Sequence, residues 1–115
     1  MGKDCLFCKI VNREIPAEIV YEDEKVLGFE DINPQAPVHC VFVPKEHIAT
    51  LNGINTENSA LAGELVRASV EVAEKKGLSE RGYRVTINCN SDAGQEVFHI
   101  HLHLLGGRKF NWPPG

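Results

Sequence analysis

Three of the chain's five histidines stand at alternate positions in His99-Ile100-His101-Leu102-His103-Leu104-Leu105. On an extended strand successive side chains face opposite ways, so His99, His101 and His103 line one face while Ile100, Leu102 and Leu104 turn to a core on the other. A row of imidazoles suits metal ligation or acid–base and nucleophilic catalysis. Three imidazoles so spaced span roughly 13 Å, too far for all three to close readily on one ion. Imidazole is neutral near pH 7, attacks phosphorus well and leaves readily from a phosphorus–nitrogen adduct, which suits a strand-mounted histidine to covalent catalysis. The polar loop Asn90–Gln95 just before the row offers backbone N–H groups and the Gln95 amide to an anion.

Cys5 and Cys8 form a C-x-x-C pair, a spacing that suits two thiolates on one metal or a redox dithiol. A thioredoxin-type dithiol follows a strand inside a βαβ unit, and nothing strand-like precedes Cys5, which favours metal over redox chemistry. Cys40 and Cys89 are isolated and read as small buried apolar residues.

The elements that must position these groups are legible from periodicity. Leu6, Phe7, Ile10 and Val11 recur at helical spacing behind Asp4, a candidate N-cap, and predict a short helix over residues 5 to 13. Ile19–Glu22 and Lys25–Glu30 predict a hairpin across the acidic turn Asp23-Glu24. Pro34 and Pro37 make residues 33 to 37 a loop with Asp31 at its mouth. Val38–Val43 follows as a strand stopped by Pro44, with His39, Val41 and Val43 on one face. Thr56 or Asn55 caps a long helix in which Leu61, Leu65, Ala68 and Val72 form one stripe, closed at Gly77 behind Lys75 and Lys76. Tyr83–Asn88 and Val97–Leu105 complete five strands. The expectation is an α+β domain over residues 1–115, a mainly antiparallel five-stranded sheet with one long and one short helix, and a tail from about residue 106.

At 115 residues, 43% of them hydrophobic and 24% charged, the chain has the size and composition of one globular domain. A net charge of −4 argues against coating nucleic acid or an anionic membrane. No apolar stretch approaches the roughly 20 residues of a bilayer span. The start, with Lys3 and Asp4 beside Cys5, does not look like a signal peptide, so the expected location is the cytoplasm.

The His-φ-His-φ-His-φ-φ run resembles the signature of the histidine-triad (HIT) superfamily. The rest resembles its nucleotide-binding (HINT) branch through Phe7-Cys8-Lys9-Ile10, Glu14-Ile15-Pro16, Asp31-Ile32-Asn33-Pro34-Gln35-Ala36-Pro37, Gly106-Gly107 and the ending Trp112-Pro113-Pro114-Gly115. The resemblance implies a homodimer that binds purine nucleoside monophosphates and hydrolyses nucleoside phosphoramidates without a catalytic metal. His101 would be the nucleophile, giving a nucleotidyl-histidine; His103 and Gln95 would contact phosphate oxygens, with the Gly94 backbone close by. Asp31 would accept from ribose hydroxyls, Asn88 would contact sugar or phosphate, and Phe7, Ile10, Phe29 and Ile32 would form the slot for the base. Trp112 belongs to a tail that reaches the partner subunit's site. Glu96 departs from the Ser that eukaryotic members tend to carry there, and a carboxylate beside a phosphate repels unless protonated, turned aside or used on the leaving amine. The resemblance also implies structural zinc on Cys5, Cys8, His39 and His99, and leaves His47, after Pro44-Lys45-Glu46, as a surface residue. Two other activities fit the same residues: dinucleoside polyphosphate hydrolysis, and a zinc-stabilised nucleotide-binding or protein-interaction module with incidental turnover.

Overall fold

The computed structural model describes residues 4–115. Its elements run α1 (Leu6–Val11), β1 (Ile19–Glu22), β2 (Val26–Glu30), β3 (Val38–Pro44), α2 (Ser59–Lys75), β4 (Tyr83–Thr86) and β5 (Leu102–Gly106), with 3-10 turns at Leu51–Gly53 and Ser91–Ala93. The strands form one antiparallel sheet in the order β1-β2-β3-β5-β4.

Strand β3 organises the fold because its neighbours β2 and β5 pair along nearly its whole length and both its faces are covered. Cys40 and Phe42 face α2, packing with Leu65, Ala68, Val72, Leu102 and Leu104. Val41 and Val43 face the other way and pack with Phe7, Ile10, Leu27 and Phe29 under α1. Gly28 in β2 is required by this packing, since a Cβ there would lie 2.6 Å from the Phe42 ring. Helix α2 ends as its sequence predicts: Gly77 adopts φ +77°, and the Gly77 and Leu78 amides return to Glu74 O and Ala73 O. Leu78 then seats against Gly106, where a Cβ would meet it at 2.6 Å.

The five strands, the hairpin and the two helices are as the sequence predicts, with local differences. Cys5, rather than Asp4, caps α1, its sulfur accepting from the Cys8 amide. Neither Thr56 nor Asn55 caps α2. Asn55 accepts from the Glu57 and Asn58 amides in a turn one step earlier, and Asn58 occupies the cap position. The largest difference is β5, expected from Val97 but beginning only at Leu102. Residues 97–101 leave the ladder because the Ile100 amide bonds to Ile48 O in the loop beyond β3 instead of continuing the sheet.

Candidate active site and metal cluster

The histidine row lies on the α1 face of the sheet, but its members do not share one environment. His103 alone stands on β5, opposite Val41 of β3. His101 and His99 sit on the irregular run that precedes it. Ile100, Leu102 and Leu104 are fully buried, as the alternation predicts.

His101 is buried against Phe7, whose ring meets it edge to face at 4.9 Å. Its Nδ1 lies 2.7 Å from His99 O. A carbonyl accepts only, so Nδ1 carries the proton and donates it, which leaves the lone pair on Nε2. Burial lowers the His101 pKa from its ordinary value, against the opposing pull of that carbonyl, and keeps the ring neutral. A neutral imidazole with its tautomer held by a backbone carbonyl is an oriented nucleophile.

The neighbouring ring is held in the complementary tautomer. The Gln35 amide donates to His39 Nδ1 at 3.0 Å, so the proton of neutral His39 resides on Nε2. That Nε2 lies 2.9 Å from His103 Nδ1 and 3.3 Å from Asp31 Oδ2. His39 therefore donates to His103 Nδ1, and His103 keeps its own proton on Nε2. Burial pushes the His103 pKa down to about 4, helped by His101 and His39 beside it, and burial lowers His39 despite Asp31. With ring centroids 4.9 Å apart, His101 offers a lone pair and His103 an N–H at neighbouring positions. Those are the two functions an attack on a phosphoryl group needs.

The structure corrects the expected metal set. His39 is not beside the cysteines. His39 pairs with Leu105 in the β3–β5 register, whereas His99 lies six residues before Leu105 on the run that has left the ladder, roughly 20 Å away at strand rise. His47 takes the place instead, as the chain curls back after Pro44. Cys5, Cys8, His47 and His99 form a group whose donor atoms all lie within 4.8 Å of one another. His99 Nδ1 is 3.3 Å from Cys5 Sγ, 3.5 Å from Cys8 Sγ and 3.2 Å from His47 Nδ1, and Cys8 Sγ is 3.3 Å from His47 Nδ1. Bonds of about 2.3 Å to sulfur and 2.0–2.1 Å to nitrogen put the N–N and S–N edges of a tetrahedron at about 3.3–3.6 Å, so these spacings fit one four-coordinate ion. His99 Nε2 donates to Pro44 O at 2.8 Å, which turns a bare Nδ1 towards the sulfurs, the outer-shell arrangement of a metal-bound histidine. Burial and the adjoining Cys5 push the Cys8 thiol up to about 11, a penalty that a divalent cation would offset. Asp31, His39 and His103 also converge, but there the Gln35 amide occupies His39 Nδ1 and forces the proton onto the nitrogen a metal would need.

Other expected contacts are differently placed. The Gln95 amide is spent inside the protein: Oε1 accepts from the Asn90 amide, and Nε2 donates to Ala49 O and Val97 O. Gln95 thus staples the loop before the histidines and has no spare donor for phosphate. The Gly94 and Gln95 amides return to Ser91 O and Asn90 O, so the loop does not aim them at an anion. Phe7, Ile10 and Phe29 are core residues forming the floor beneath the histidines, whereas Ile32 is 99% exposed and packs on nothing. Asp31 is tied at Oδ1 to the Asn33 amide. Asn88 is half-buried; Glu96 is exposed, turned to solvent; Trp112 is 82% exposed on the tail. Sequence reasoning missed His47 as the member of the cysteine group and His39 as the partner of His103, and the register that separates them was the signal it lacked.

With this geometry in view, comparison with known proteins assigns the class. Residues 4–111 match the family model described as the scavenger mRNA decapping enzyme C-terminal binding domain. The chain is 50% identical over its whole length to an uncharacterised HIT-like protein of Synechocystis, and 45% identical over 108 residues, 94% of this chain and 91% of the other, to the purine nucleoside phosphoramidase of Escherichia coli K12. Among solved structures, a HIT family hydrolase from Legionella pneumophila superposes with a TM-score of 0.95 at 54% identity, covering 97% of this chain and all of that one. The chain belongs to the histidine-triad (HIT) family. Within that family it is a HIT family hydrolase.

Proposed function

We propose that this chain hydrolyses purine nucleoside phosphoramidates, releasing a nucleoside monophosphate through a covalent nucleotidyl-His101 intermediate. The observation that carries the reading is the pair of complementary tautomers: an Nε2 lone pair on His101 beside an Nε2–H on His103. His101 Nε2 attacks the α-phosphorus; the phosphorus–nitrogen bond breaks, and the amine takes its electron pair and one proton from solvent. The His101 ring then carries positive charge, which the His99 carbonyl stabilises through Nδ1–H, while His103 donates to a phosphoryl oxygen. Water attacks the same phosphorus, returns one proton to solvent, and the electron pair of the P–Nε2 bond goes back to His101. Asp31 at the loop mouth suits a ribose diol, and the likeness to the Escherichia coli enzyme supports a purine substrate.

Zinc is the metal we assign to Cys5, Cys8, His47 and His99. Four protein donors leave no open position, so the ion is structural: it ties α1 to the run that carries His101 and takes no part in the reaction. We further propose that the chain is a cytoplasmic homodimer. A second copy would cover the free edge strand β4, with exposed Val85, and the exposed Val66 and Val70 of α2.

The test is hydrolysis of adenosine 5′-phosphoramidate by the wild type and by His101→Ala, with intact mass read during turnover. An adenylyl adduct on the wild type and a loss of several orders of magnitude in the variant are expected. Tight AMP binding with no turnover by either protein would instead make the chain a binding module.

A further inference from the structure

At the C-terminal end of α2 the molecule gathers positive charge that nothing neutralises. Elsewhere Arg13 and Lys45 pair with Glu22, Arg67 with Glu64, Glu71 and Asp23, and Lys76 with Glu30, while Lys9, Lys25 and Lys75 stand singly without a carboxylate of the described residues within 4.0 Å. Among the described residues, Arg81, Arg84, Arg108 and Lys109 have no carboxylate within 4.0 Å, although the chain carries 16 acidic residues and a net charge of −4. Arg81, Arg108 and Lys109 line one cavity of about 390 Å³, closed by Leu78 and by Gly77, Gly82 and Gly107. Those glycines adopt φ values of +77°, +102° and +93°, so the wall between the cations is bare backbone.

The cationic groups are held in place. The Arg108 guanidinium lies 4.3 Å over the Phe110 ring, and its Nε donates to Gln35 O at 3.2 Å. Arg84 stands 5.1 Å over the same ring and donates to Asn111 O at 3.0 Å. Like charges gathered at Arg81, Arg108 and Lys109 repel one another, and an anion in the cavity they line would relieve that repulsion. A fixed Arg108 guanidinium with Arg81 and Lys109 around one cavity matches the tetrahedral, multiply charged oxygens of a phosphoryl group better than a planar carboxylate.

We propose that this cavity is a phosphate-binding subsite distinct from the histidines. It lies beyond the end of β5, roughly 13 Å along the strand from His103 to Gly107, so a phosphoryl group bound there is not the one attacked by His101. Its source is either free phosphate or a phosphate carried on the amine side of a substrate. In the second case only, the subsite rests on the phosphoramidase reading.

The experiment is a titration of the ¹⁵N-labelled, zinc-loaded full chain with inorganic phosphate, against sodium chloride at equal ionic strength. Saturable shifts at the Gly77, Gly82 and Gly107 amides are expected, with affinity falling about tenfold or more in Arg81→Gln/Lys109→Gln. Shifts reproduced by chloride, shifts that persist unchanged in the double variant, or no shifts at these amides would overturn the proposal. So would a single-stranded oligonucleotide that binds these residues more tightly than phosphate does, which would make the surface a nucleic-acid tract. The source is read by comparing adenosine phosphoramidates of ethanolamine and O-phosphoethanolamine. A drop of about tenfold in kcat/KM in the double variant for the phosphorylated amine alone assigns the phosphate to the substrate; equal rates in variant and wild type, with phosphate binding lost, assign it to free phosphate.

Discussion

Replacing His39 by Phe separates the two roles this residue could have. The ring bulk is kept, so the packing between Val41 and His103 survives, while both hydrogen bonds of the imidazole disappear: the one accepted from the Gln35 amide and the one donated to His103 Nδ1. Both lost partners sit around a side chain only 5% exposed. Each unsatisfied buried group costs roughly 1–3 kcal/mol, so a destabilisation of about 2–4 kcal/mol is expected after some rehydration at the half-buried His103. The catalytic effect follows from the tautomer. Without its donor, His103 is free to carry its proton on Nδ1 and turn a lone pair towards the phosphate. A hydrogen bond worth about 0.5–1.5 kcal/mol biases that choice by about 2- to 13-fold, and kcat/KM for adenosine 5′-phosphoramidate should fall by that factor, far less than for His101→Ala. Metal content is the decisive second measurement, because His39 makes no contact with the Cys5, Cys8, His47 and His99 group. One zinc per chain should be retained in His39→Phe. Loss of the metal from this variant would refute the assignment of His47 and restore His39 as a ligand, and a rate unchanged from wild type would refute the tautomer argument.

Substituting a proposed ligand should have the opposite pattern: His47→Ala or Cys8→Ser should lose zinc by elemental analysis and lower the Tm by several degrees, since bound metal contributes folding free energy. Gln95→Ala removes three hydrogen bonds that staple residues 90 and 97 to Ala49, so chemical denaturation should show a loss of about 1–3 kcal/mol. Turnover should fall with it, because the loop sets the run that carries His101, while retained activity would show that the run is held by other contacts. Stability should also fall on acidification from pH 7 to pH 5. His39 and His103, faced by Asp31 and His101, have pKa values depressed by burial, so below the ordinary histidine pKa of about 6.5 the unfolded chain binds protons that the folded chain refuses. Urea midpoints at the two pH values measure the fall, and His39→Phe should make it shallower; equal slopes would remove His39 from the account.

Much of this was legible in residue order. Alternation placed Ile100, Leu102 and Leu104 in the core, the helical stripe of Leu65, Ala68 and Val72 placed α2 on the sheet, and Gly77 closed that helix, because each signal depends only on local geometry repeating every two or 3.6 residues. The C-x-x-C pair pointed to metal chemistry and the His row to metal ligation or catalysis by residue type alone. What order could not decide was which histidine meets which. His39 and His47 are equally plausible partners for His99 in one dimension, and only the β3–β5 register, together with the turn after Pro44, carries His47 to the cysteines and His39 to His103. The tautomers of His101 and His103 are likewise tertiary facts, because they depend on which carbonyl or amide faces each ring nitrogen. Sequence determined the inventory of reactive groups and the faces they occupy. Long-range strand pairing and the turn after Pro44 divided five similar imidazoles between the His39, His101 and His103 group and the Cys5, Cys8, His47 and His99 group, because side chains far apart in the chain acquire a distance only when the sheet closes.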